Sequence, residues 1–344
     1  MYDFNLLTED FFYIHMFFIF FLGLIFGSFL NVCIYRIPVG LSIVKPGSHC
    51  FSCGSHVSWY DNIPLMSFII LKGQCRHCGA VFSMRYFFIE LLTGLFFAFT
   101  FYKFRYTLAT PFYIGFICLL IIATFTDLDH WIIPDSVSIG GAGLGMLAAI
   151  IAGFFPKGFI VSGIWPMPSN IFYAPFVNAL TGAFTGAFII WLVGVVGTLI
   201  FRKEAMGFGD VKLFLLIGSF LGALNCLYVM TVASLIGSVI GGSLLLSDKI
   251  RQKKNKKKKE NKEKFTEECS PENYEDEGQK GAYDREAEII DKVIHNMNKI
   301  KGDTDQSSPG HHHIPFGPFI AAGAIIVLYW GDQLFSYIFN LYNY

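Results

Sequence analysis

The chain has 344 residues, of which 53% are hydrophobic and 15% charged, well under the quarter of charged residues usual in a soluble domain. Residues 249–313 hold 15 of the 26 Lys/Arg and 14 of the 26 Asp/Glu, so the other 279 share 23 charges and the net charge of zero averages unlike parts. These figures exclude a soluble globule, a disordered chain, a short-period fibre and a disulfide scaffold, and they give no case for nucleic acid as a partner.

A helix needs about 20 mainly apolar residues to cross the roughly 30 Å hydrocarbon layer. About eight stretches qualify or nearly do: 11–33, 86–102, 112–126, 136–155, 174–201, 211–223, 225–246 and 315–341. The first is longer than a signal-peptide core, follows Asp3, Glu9 and Asp10, and lacks a basic start, so it is expected to stay in the mature protein. The sixth is short and its border near Ala223 is soft, which leaves counts of seven and nine open. With eight spans, one side collects Arg36, Lys45, Lys72, Arg76, Arg85, Arg202, Lys203, Lys212 and the 249–313 segment, against Lys103, Arg105 and Lys157 on the other. The first side is therefore expected to be cytoplasmic.

The loop after the first span carries Cys50-Phe-Ser-Cys53 and Cys75-Arg-His-Cys78. Two CxxC pairs can each set two thiolates on one ion, and four thiolates close a structural zinc site. Disulfides are the weaker explanation in a reducing cytoplasm. His49, His56 and His77 are rival ligands, read more simply as surface residues beside the site. The fold class expected is thus an all-α polytopic membrane protein, about eight transmembrane helices with a small zinc-binding cytoplasmic loop domain. Its parts are the first transmembrane helix (1–35), the zinc loop (36–85), the transmembrane core (86–248), a charged insertion (249–313) and the last helix (314–344).

Thr126-Asp127-Leu-Asp129-His-Trp-Ile-Ile-Pro134-Asp135 ends the third span and Gly207-Phe-Gly209-Asp210-Val-Lys212 opens the sixth, both on the same side. Ionisable groups at the edge of the hydrocarbon are costly and mark function by default. Two carboxylates held close share a proton, and with a water between them they form an aspartyl protease dyad. Asp127 abuts the apolar run and is the better first member. Asp129 sits nearer the loop, and Asp135, following Pro134, reads as a helix N-cap. Gly207 and Gly209 either leave room for an extended substrate backbone beside Asp210 or merely form a loop.

These residues resemble the type IV prepilin peptidases, bifunctional leader peptidase/N-methyltransferases of the GxGD class of intramembrane aspartyl proteases. The matches run in order: Gly27-Ser-Phe-Leu-Asn-Val-Cys-Ile-Tyr-Arg-Ile-Pro38, the CxxC pairs around Trp59-Tyr-Asp-Asn-Ile-Pro64, Arg85-Tyr86 with Glu90, Asp127 with Pro134, Gly207 to Leu213, and Ile314-Pro-Phe-Gly-Pro-Phe319. The resemblance implies Asp127 and Asp210 as catalytic residues and Cys50, Cys53, Cys75 and Cys78 as zinc ligands. It further implies cleavage of prepilin or pseudopilin leaders after a Gly, methyl transfer from S-adenosylmethionine to the new N-terminus, and a bacterial inner-membrane location with the active site near the cytoplasmic face. Arg36 and Glu90 are candidates for the S-adenosylmethionine site, or else an ion pair or helix-end anchors. Two other readings stand beside this one: a non-enzymatic zinc-stabilised transporter or assembly factor, and a peptidase without methyl transfer.

Residues 249–313 depart from the family pattern. Ten basic residues lie between Lys249 and Lys264, followed by an acidic stretch through Asp305. This composition predicts a solvated tether, whose Lys253–Lys259 run could adhere to anionic lipid.

Overall fold

In the computed structural model, residues 4–155, 172–202, 206–243 and 315–342 are described. Two compact units result, 1–237 with 315–344 and 238–314; of the second, only the helix end at 238–243 is described. The charged insertion and its Lys253–Lys259 run lie outside the described residues.

The described residues form helices and no strand ladder. In chain order these are α1 (Phe4–Arg36), a 3-10 turn (Trp59–Asn62), α2 (Met66–Ile70), α3 (Met84–Phe104), α4 (Ala109–His130), α5 (Asp135–Phe154), α6 (Ala174–Phe201) and α7 (Phe208–Leu221). They continue as α8 (Ala223–Ser243) and α9 (Gly317–Tyr342). Six of them, α1, α3, α4, α5, α6 and α8, are long and apolar enough to cross a membrane, so this is a multi-pass membrane protein. All eight apolar stretches form helices, but α7 has only 14 residues. At 1.5 Å per residue it is about 21 Å long, short of a full crossing. Gly222, at φ +81°, ends it where no side chain would be comfortable. The next helix begins at once, and its Gly237 faces Phe316 and Phe319 at the start of α9, so α7 and α8 form a hairpin returning to one end of the bundle.

In lipid, apolar burial does not drive helices together, so close backbone approach through small residues matters more. A Cβ on Gly182 or Gly218 would run into the other residue's backbone, which makes α6 and α7 touch along their main chains. Gly23 and Gly27 of α1 do the same against Gly94 and Glu90 of α3, Gly94 leaves room for Leu24 and Phe20 of α1, and Gly141 and Gly145 leave room for Leu216 and Ser219 of α7 against α5. Phe116, Ile117, Leu120, Leu213, Phe214 and Ile217 are fully buried where α4, α5 and α7 meet. The outer face of α6 is the reverse, with Phe184, Phe188, Leu199 and Ile200 exposed where acyl chains would cover them.

Candidate active site and metal centre

The helix ends that carry the chemistry gather at one end of the bundle. Asp127 is on the last turn of α4 and Asp210 on the first turn of α7. Each residue is 8% exposed, and the charge of Asp127 acts on Asp210. The start of α9 lies across Asp127: the Gly317 backbone N–H donates to its Oδ2 at 3.0 Å, and a Cβ at Gly317 would collide with that carboxylate. Gly207 and Gly209 differ from the interhelical glycines. A Cβ at Gly207 would meet nothing closer than 4.0 Å, and one at Gly209 would only touch Ile133 at 3.5 Å. The protein's own packing therefore requires neither, and the space beside Asp210 is left open.

Ion pairs brace both aspartate turns. Arg85 of α3 lies 5.0 Å over the Phe125 ring and pairs with Asp129 at 2.5 Å, so Asp129 is an exposed partner of a cation, outside the buried pair. The N-cap expectation for Asp135 is overturned. Pro134 holds the N-cap position, and Asp135 is the first helical residue, its carboxylate accepting from Lys212 Nζ at 2.5 Å. Proline pre-sets the extended backbone of the helix entry, which leaves the Asp135 side chain to turn outward to a partner 77 residues away. That pair ties α5 to α7 two residues beyond Asp210.

The four cysteines of the loop converge. Their Sγ atoms all lie within 4.8 Å of one another, which can hold a metal ion, and none of the three histidines joins the group. Sulfurs 2.3 Å from a tetrahedral zinc would stand about 3.8 Å apart, and Cys50 Sγ and Cys78 Sγ are separated by 3.8 Å. The two halves are built alike. Cys50 N–H donates to Ser55 and Gly54 N–H returns to Cys50; Cys75 N–H donates to Ala80 and Gly79 N–H returns to Cys75. Gly54 (φ +69°) and Gly79 (φ +71°) supply the left-handed residue closing each turn. That glycine directly follows each second cysteine, a signal legible as CxxCG that the CxxC reading passed over. Donors aimed at sulfur stabilise thiolate: the Ser55 hydroxyl and backbone bring Cys53 down to about 6, and the Cys78 and His77 N–H groups lower Cys75. Cys78 accepts from the Ala80 N–H, yet desolvation and the neighbouring sulfurs push it up to about 12. Beside this knot Arg76 grips Asp61 with Nε and Nη2, which holds that carboxyl below its usual range.

Arg36 and Glu90 do not pair with each other. Arg36 ends α1 and donates to the Ser42 carbonyl at 3.0 Å, a helix-end anchor, while buried Glu90 accepts the Leu65 N–H at 2.9 Å. Both nevertheless line one cavity of about 1120 Å³ between α1, α3 and the loop.

A family model described as the bacterial peptidase A24 N-terminal domain matches residues 21–104, and one described as the type IV leader peptidase family matches residues 114–242. The prepilin leader peptidase/N-methyltransferase of Myxococcus xanthus is 40% identical over 230 residues, 67% of this chain and 63% of that protein. The type 4 prepilin-like proteins leader peptide-processing enzyme of an enterotoxigenic Escherichia coli is 34% identical over 238 residues, 63% of this chain and 81% of the relative. The prepilin leader peptidase/N-methyltransferase of Legionella pneumophila is 26% identical over 335 residues, 90% of each chain. No solved structure matches the chain.

Proposed function

This chain belongs to the type IV leader peptidase family, and we infer that it is a membrane-embedded prepilin leader peptidase/N-methyltransferase in which Asp127 and Asp210 perform the cleavage. The observation that carries the catalytic assignment is the burial of both carboxylates at one end of the bundle, where the charge of Asp127 acts on Asp210, the first turn of α9 holds Asp127, and the glycines beside Asp210 leave open space. One carboxylate takes a proton from water as the water attacks the scissile carbonyl. The other donates to the developing oxyanion, and a low-dielectric site strengthens both interactions. The substrate class is a prepilin or pseudopilin, whose leader is cut after a Gly just before an apolar helix. That helix can lie alongside the bundle while the leader reaches the carboxylates from the aqueous side. The basic loops on that side put it in the cytoplasm by the positive-inside rule, and the membrane is then the inner membrane.

The four thiolates take one zinc ion. A closed sulfur shell leaves no position for substrate, so the ion's part is to fold a loop with little core of its own. S-adenosylmethionine supplies the methyl group for the new N-terminal amine. The test is incubation of the purified protein, in lipid nanodiscs, with a synthetic prepilin and labelled S-adenosylmethionine, followed by mass spectrometry. The expected products are free leader and a mature chain heavier by one methyl group. Intact prepilin at the end of a long incubation, with correctly inserted enzyme, would overturn the assignment.

A further inference from the structure

One large feature is left unexplained, the cavity between α1, the start of α3 and the cysteine loop. Its volume of about 1120 Å³ exceeds the roughly 300–1,000 Å³ typical of small-molecule sites, so it has room for a ligand of that size and a chain end besides. Its lining includes Glu90, which is only 9% exposed. The chain goes to some length to place this group. Leu65 adopts φ 58° and ψ −48°, a region costly for a branched side chain, and from there donates its N–H to Glu90. Ser28 of α1 also lines the cavity. At the mouth Trp59 lines the cavity while 80% exposed, an aromatic face suited to a purine or a sulfonium. Tyr86 of α3 also lines the cavity, and Arg85, its neighbour in sequence, pairs with Asp129 on the helical turn that carries Asp127.

We propose that this cavity is the methyl-transfer chamber: it takes S-adenosylmethionine together with the amino terminus of a freshly cleaved apolar helix, with Trp59 against the donor and Glu90 on the amine. The proposal rests on the peptidase/N-methyltransferase reading above. An α-ammonium has no lone pair to react, and its ordinary pKa of about 7.7–8.0 leaves it mostly protonated at neutral pH. Glu90 pairs with that cation and accepts one of its protons. The freed nitrogen lone pair bonds to the methyl carbon as the carbon–sulfur bond breaks, its electrons staying on sulfur, which becomes a neutral thioether. The product is the N-methylammonium, and the proton on Glu90 passes to water.

The test uses the full-length, metal-loaded protein in nanodiscs, as wild type, Trp59→Ala and Glu90→Gln, each checked for metal content. Equilibrium binding and ultraviolet cross-linking of labelled S-adenosylmethionine are read beside the ratio of methylated to cleaved pilin. We expect the label within residues 28–90, binding at least tenfold weaker in Trp59→Ala, and a product ratio at least tenfold lower in Glu90→Gln. Label elsewhere, or variants matching wild type in binding and in ratio, would overturn the chamber. A purely structural Glu90 would lower both products together and leave the ratio unmoved, which also overturns its role. Failure of the wild type to bind S-adenosylmethionine or release leader would instead sink the enzymatic reading itself.

Discussion

The aspartate pair and the cysteine knot are organised by opposite means. Asp127 and Asp210 are held by helices whose contacts are already complete: glycine-to-glycine approach of α6 on α7, a fully buried apolar interior, and a backbone N–H from α9. The four sulfurs are held by two short turns in a loop whose only regular elements are a 3-10 turn and a five-residue helix. Their crowding raises Cys78, and a metal ion is the ligand that would let all four sulfurs stand together as thiolates. One site is prepared by packing and the other is completed by its ligand, so the two should fail differently.

The largest effect that would separate them is chemical. Asp127→Asn and Asp210→Asn should each reduce leader cleavage by at least the 10²–10⁴-fold range of acid–base catalysis, with the helical bundle intact by circular dichroism. Asp129→Asn should keep most activity, because that carboxylate is exposed and bound to Arg85. A peptide-release assay showing loss in Asp129→Asn and survival in Asp127→Asn would reverse the assignment. Metal removal should act next. Chelation or Cys50→Ser should release one zinc per chain and expose residues 41–82 to protease, while the spans remain helical. Both activities should fall through loss of the loop, since structural zinc supplies on the order of 10 kcal/mol or more to such sites. Elemental analysis finding no zinc in protein purified under reducing conditions would remove the metal from the comparison.

Gly317→Ala probes whether packing alone prepares the aspartates. Its methyl group would collide with the Asp127 carboxylate and displace the N–H that holds it. Loss of one charge-assisted hydrogen bond, about 1.5–3 kcal/mol, corresponds to roughly 10–150-fold in rate. An initial-rate comparison at saturating prepilin measures it, and an unchanged rate would show that α9 is not needed to position Asp127. Lys212→Ala should cost less, at most about fivefold, because its pair with Asp135 is partly exposed.

The sequence was informative where the physics is local. Apolar runs marked every long helix, and a carboxylate at the edge of such a run identified Asp127 and Asp210 as residues to watch. Paired spacing marked the four cysteines. Contacts across long separations were not legible: Asp127 is bonded to a residue 190 positions away, and Asp135 to one 77 away, which is why it read as a cap. The end of α7 at Gly222 was blurred because apolar residues continue on both sides, and periodicity carries no sign of where a chain reverses. The cavity was invisible for the same reason, as Ser28, Trp59 and Glu90 come from three segments with different local patterns.

The smallest expected effect concerns residues 249–313, which belong to neither site. Replacing residues 251–310 by a short flexible linker should preserve cleavage, and the reason is compositional. Between Lys249 and Asp305 charged residues are dense and apolar ones few, so this stretch has little surface with which to stabilise a bundle or complete a catalytic pocket. Its ten basic residues between Lys249 and Lys264 begin a few residues after an apolar helix. They are within reach of anionic headgroups, at about 1 kcal/mol for each lysine near the surface, and the acidic stretch that follows opposes that attraction. Any defect should therefore appear in salt- and lipid-dependent capture of prepilin, measured as a change in KM between vesicles with and without anionic lipid, with kcat unchanged. A deletion variant that inserts correctly yet cannot hydrolyse saturating prepilin would make the insertion part of the active enzyme, and the contrast between a packed site and a ligand-completed one would then lack a third, essential region.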